Sequence, residues 1–164
     1  MPVSDALGWL HGTPATPSNV FTSTSTDYSD YELDFGATVA GTSSPYLPAF
    51  PSRTEAAYTS PPEVPGPGGI QMGVHVVIGA AIVPGSCTAG VVNVLSAATS
   101  SATAIIATRT LTLAQLAVAG SHYFIPMNIA TLLEFLRLNF IGTNAAVTSG
   151  TAVAWFGPIC GGEQ

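Results

Sequence analysis

Few residues in this 164-residue chain have types suited to chemistry, and they are scattered. The three histidines, His11, His75 and His122, lie far apart in the sequence. A hydrolase needs a nucleophile, a base and a group that orients the base. No G-x-S-x-G elbow supplies the nucleophile. His75 alternates with Val74 and Val76, the setting of a satisfied or exposed strand histidine rather than of a ligand or base. Four of the nine acids, Asp27, Asp30, Glu32 and Asp34, form the one carboxylate cluster. Carboxylates two apart on a strand point the same way, not across a substrate as glycoside cleavage requires. They could hold a cation or dock a basic partner. A strand carboxylate lacks the oxygen ligands that a loop adds, so a solvated outer face is the preferred reading. Gly66-Pro67-Gly68-Gly69 is no phosphate cradle: it has no lysine and no following helix. Cys87 and Cys160 have no CxxC spacing and no histidine-rich neighbour, so free thiols are expected, with one disulfide possible. The expectation is a protein that is not an enzyme, with no cofactor and no metal.

Composition narrows the partners. Hydrophobic residues make up 47% of the chain, enough for a full core, while only 7% are charged. Lysine is absent; the basic residues are Arg53, Arg109 and Arg137, and the net charge is −6. Such a chain has no basic footprint for nucleic acid and no polybasic patch for a membrane surface. No apolar run is long enough to span a bilayer. The N-terminus lacks a charged n-region and a long apolar h-region, so folding in a reducing cytosol is expected. A free surface normally carries charge of both signs. The low charge therefore fits either a protein covered by neighbours or a secreted β domain.

The elements that would position these residues read as strands. In Thr131–Phe156, Leu136, Leu138 and Phe140 alternate with Arg137 and Asn139. That period of two predicts a half-buried strand, and it turns Arg137 outwards. A turn at Gly142-Thr143-Asn144 leads to a second strand, with Ala152, Ala154 and Phe156 on one side and Val153 and Trp155 on the other. Trp155 is expected in the core. Further strands are predicted over Thr26–Phe35, Gly69–Val83, Ala89–Leu95, Ala104–Leu113 and His122–Met127. In the first, Tyr31, Leu33 and Phe35 should face inwards. Leu111–Ala119 could hold a turn or two of helix capped by Thr112. The count is about seven or eight strands without repeating helices, so the fold class is all-β, a jelly-roll-like sandwich.

The domain division is an N-terminal arm over 1–24 and a single sandwich over 25–164. A Pro/Gly-rich loop occupies 41–69. Trp9 anchors the arm; Tyr46, Phe50 and Tyr58 stud the loop. Exposing such rings wastes apolar area, so these residues are candidate interface contacts.

The C-terminal half also carries a resemblance. Leu113–Gly120, Tyr123–Pro126, Phe135-Leu136-Arg137-Leu138, Gly142-Thr143 and Thr148–Ala154 follow one another in order. This series is similar to the late pattern of cement, or decoration, proteins of tailed bacteriophages, of the Bordetella-phage type. Asp34-Phe35-Gly36 and the glycines 66–69 agree in outline, and the likeness covers roughly residues 20–157. The Pro-rich stretch 41–65 is longer than the family pattern, and the Trp9 segment has no counterpart. The resemblance implies a jelly roll on the outer capsid surface. It implies a protein made in the host cytoplasm that bridges joints between subunits of the major capsid protein. It also implies self-association, with a homotrimer favoured and a dimer possible, and it places Arg137 at an interface. The alternative is a carbohydrate-binding jelly-roll module on a virion or cell surface, using aromatic residues on loops, with Tyr28, Tyr46, Tyr58 and Trp155 as candidates.

Overall fold

The computed structural model describes residues 9–34, 72–128 and 131–158. The strands are β1 (Trp9–His11), β2 (Ser18–Asn19), β3 (Leu33–Asp34), β4 (Met72–Val83), β5 (Ala89–Ala97), β6 (Ala104–Thr112), β7 (His122–Pro126), β8 (Phe135–Gly142) and β9 (Ser149–Pro158). One short helix, α1 (Leu113–Leu116), follows β6. The first sheet runs β1-β9-β4-β7, with β2 also on β9; the second runs β3-β8-β5-β6. All the pairings are antiparallel. Among the described strands, only β5 and β6 are both consecutive and paired with each other; β1 and β2 share β9, and every other connection crosses between the sheets. That winding is a jelly roll, as the alternation predicts.

The alternating residues make the core. Val74, Val76 and Ile78 of β4 and Ala152 and Ala154 of β9 are fully buried. They face Val92 and Val94 of β5 and Leu136, Leu138 and Phe140 of β8, equally buried. Gly90 leaves room for Phe21: a Cβ there would lie 2.7 Å from the Phe21 ring. The helix forms as its cap predicts. The Thr112 hydroxyl accepts from Gln115 N–H, and Thr112 N–H donates to the Gln115 side-chain oxygen.

The structure changes or extends the sequence expectations at several places. The two strands of 131–156 form, but they do not pair with each other: β8 lies in one sheet and β9 in the other. The turn between them is a corner of the sandwich. Its tightness depends on Gly142, where a Cβ would lie 2.3 Å from the Ala145 carbonyl. Residues 26–34 make only a bridge at Tyr28 and the two-residue β3, because their polar side chains and N–H groups bond across the chain instead. Tyr31, expected inside, is 53% exposed. Trp155 lies half-buried on the outer face of its sheet rather than in the core. From Trp9 onwards, the segment expected as an arm runs along the edge of β9 as β1 and β2. The loop 41–69, with Tyr46, Phe50 and Tyr58, lies outside the described residues, as does Cys160. Cys87 is a buried free thiol.

Candidate functional site

Two side-chain clusters stand out on the outer faces of the sandwich. The first is built by register on the β1-β9-β4-β7 sheet. Trp9 pairs with Trp155, Trp155 with His75, and His75 with Phe124. Their outward side chains therefore form a row of rings. His75 stacks on Trp155 at 5.0 Å with 7° between planes, and Trp9 meets Trp155 edge-on at 5.4 Å. Phe124 fills the space over Gly73, where a Cβ would collide with its ring at 2.6 Å. His122 closes the row: its Nε2 lies 3.0 Å from His75 Nδ1, so one ring donates and the other accepts. His75 is 1% exposed. Sequence separation hid this pairing, since β7 brings His122 beside His75 only through the sheet register.

The second cluster staples the β5–β6 turn to the β3 and β8 side of its own sheet. Glu32 accepts from Ser101 N–H and Ala102 N–H, both at 2.9 Å. Ser101 has φ 67°, so a fixed carboxylate holds a turn that a serine adopts reluctantly. Arg137 Nε donates to the Ala102 carbonyl and lies 3.8 Å from Glu32 Oε2. Its guanidinium sits 3.8 Å over the Tyr28 ring. Arg137 does point off the leucine face, as the alternation predicts, and its carboxylate neighbour is in its own chain. Among the described residues, its two Nη groups have no hydrogen-bond partner.

Asp27 and Asp30 of the cluster also hold backbone groups, which corrects the solvated-face expectation for them; the Asp34 side chain lies outside the described residues. Asp27 accepts from Thr22 N–H at 2.7 Å, and Asp30 from Gly12 N–H at 2.9 Å. Burial works against the charged form of Asp30. The bonds from Ser18 and Gly12 outweigh it and hold its carboxyl below the ordinary aspartate range, aided by His11 only if that ring is protonated. His11 itself is a satisfied interior histidine. Its Nε2 donates to the Asn19 carbonyl at 2.9 Å, and its Nδ1 accepts from Asp30 N–H. The short reach of each acid to a loop N–H left no sequence signal beyond their density.

Of the five interface candidates, the structure puts Trp9 in the ring row and Arg137 in the staple, on opposite sheets. Tyr46, Phe50 and Tyr58 lie outside the described residues. Among the described residues, no group of three or more potential metal ligands comes together. No family model matches this chain, and no curated protein matches its sequence.

Proposed function

We propose that this chain is a structural cement protein that binds the outer surface of a phage head, bridging joints of the major capsid protein. One observation carries the reading: among the described residues, two arginines and three acids are engaged with the chain's own backbone. Arg109 binds the Phe124 carbonyl, Arg137 the Ala102 carbonyl, and Asp27, Asp30 and Glu32 hold backbone N–H groups. What the described residues leave for a partner is a jelly-roll surface of few charges, rich in Thr, Ser, Ala and aliphatic residues. Such a surface suits permanent coverage by neighbours better than free life in solution. The sequence resemblance supports the same role, and so does the jelly-roll winding. The place of work is then the outside of the virion. The aromatic row offers a carbohydrate reading some support, but one face of Trp155 is already taken by His75. A sugar platform needs open ring faces, so the structural role is preferred.

The test is decoration. Heads of the encoding phage, stripped of this protein, are mixed with purified chain and sedimented. The expected result is saturable binding and a higher temperature of DNA release. No co-sedimentation at saturating protein, together with a positive glycan-array signal, would replace the structural reading by the carbohydrate one.

A further inference from the structure

Four edges bound the two sheets: β1 with β2, β7, β3 and β6. A bare edge is a template for another strand, and proteins blunt edges by shortness, coverage or inward charge. Three of the four are blunted. β3 has two residues. β1 is covered where Tyr31 N–H bonds the Leu10 carbonyl. β7 ends on Pro126, and its Phe124 carbonyl accepts Arg109 Nη1 at 2.7 Å.

β6 differs. It runs for nine residues and pairs only with β5. Apart from the helix cap at Thr112, its backbone has no partner beyond β5 among the described residues. The sequence AIIATRTLT contains no proline, lysine or acid. Its single charge, Arg109, turns away from the edge and over the Tyr123 ring at 5.2 Å. Ile105 is 60% exposed, and Val118, past helix α1, is 57% exposed.

We propose that β6 pairs antiparallel with β6 of a second copy, joining two four-stranded sheets into one of eight strands. A strand pair across a two-fold axis is self-complementary, so each copy supplies the row of groups that the other lacks. Charge selects the place. Copies with a net charge of −6 repel, and none of the nine acids lies on β6. The regular run is Ala107–Thr112, because Ile106 bulges where Val94 faces Ala107 and Leu95 faces Ile105. Thr108 and Thr110 are exposed along this run and suit cross-strand threonine pairs. The pairing closes at two copies, whereas the family resemblance favours three. It rests on no property of a capsid.

The experiment is sedimentation of the wild type and of Ile105→Lys/Thr110→Lys, at micromolar to submillimolar concentration. Both positions are exposed, so the lysines need not disturb the fold; circular dichroism and the thermal midpoint check this. The wild type should pass from monomer to dimer, and the double variant should dimerise about tenfold or more weakly, because like charges face each other across the axis. A wild type that stays monomeric, a trimer, or a dimer untouched by the lysines would overturn the proposal. If the variant does not fold, hydrogen exchange on the wild type decides. The outward β6 amides should be protected when concentrated and exposed on dilution; protection that ignores concentration overturns the pairing. Head decoration is a separate readout, so either result leaves the cement reading standing or falling on its own.

Discussion

The two outer faces of the sandwich are closed by different physics. On the β1-β9-β4-β7 sheet, rings fill the face: Trp9, Trp155, His75 and Phe124 touch in a row. On the β3-β8-β5-β6 sheet, directional bonds do it. Asn139 accepts from Asp27 N–H and donates to the Ser25 carbonyl, while Thr108 donates to Asn93 Oδ1 at 2.7 Å. Asn93 and Asn139 are only 6% and 7% exposed. Ring contact is proportional to area and tolerates small shifts. A buried amide tolerates little, because each lost partner leaves a polar group in a dry place. The first face should therefore accept a smaller ring and the second should reject an apolar substitute.

The largest expected effect tests that contrast directly. Trp155→Ala should cost about 3 kcal/mol, towards the lower end for a buried indole because the ring is only half-buried. Trp155→Phe should recover most of the loss. Asn139→Ala should cost about 2 kcal/mol by stranding Asp27 N–H and the Ser25 carbonyl. Asn139→Leu, which refills the volume, should recover almost nothing. In a domain of this size each kcal/mol moves the thermal midpoint by about 2–4 °C, so melting curves of the four variants suffice. If leucine rescues position 139 as well as phenylalanine rescues 155, the two faces do not differ in kind.

Glu32→Gln sharpens the comparison at a smaller scale. The amide keeps one acceptor for the Ser101 and Ala102 N–H groups but loses the charge and the second oxygen. A loss of about 1 kcal/mol is expected, since a bond to a charged group is worth more than a neutral one. Hydrogen exchange should rise at Ser101 and Ala102 and stay unchanged in the ring row. Uniform change across both sheets would mean that Glu32 supports the whole fold rather than one turn.

These predictions differ from what the sequence alone suggests for the acids, and the reason is distance. Strand periodicity was legible wherever it repeated locally. In the runs 74–78, 136–140 and 152–156 every second residue, from Val74, Leu136 and Ala152, lies inside as read, whereas Trp155 does not. The Thr112–Gln115 cap was legible because both partners sit within one turn. Glu32 meets Ala102 across 70 residues, and Asn139 meets Asp27 across 112, separations that carry no local pattern. The sheet assignment of β8 and β9 was hidden for a related reason. A short polar turn reads the same whether its strands pair or part company. The ring row needed three strand pairings at once before Trp9, Trp155, His75 and Phe124 could be seen as neighbours.

The smallest effect concerns Asp30, on the edge where β1 meets the second sheet. The bonds from Ser18 and Gly12 hold its carboxyl below the ordinary value, against the opposing influence of burial. A carboxyl lowered by folding stabilises the protein above its unfolded-state value, near 3.9. That stabilisation is lost as pH falls through the lower, folded-state value. Asp30 is 39% exposed, so solvent screens much of the benefit and Asp30→Asn should cost less than about 1 kcal/mol at neutral pH. An asparagine oxygen can still accept from Gly12 N–H, which leaves charge as the main difference. The urea midpoints of wild type and variant should therefore differ at pH 7 and converge in strong acid, where Asp30 is neutral. A gap that is unchanged in acid would show that shape rather than charge holds this edge. The Asp30 contact would then belong with the ring row, not with the directional bonds of the opposite sheet.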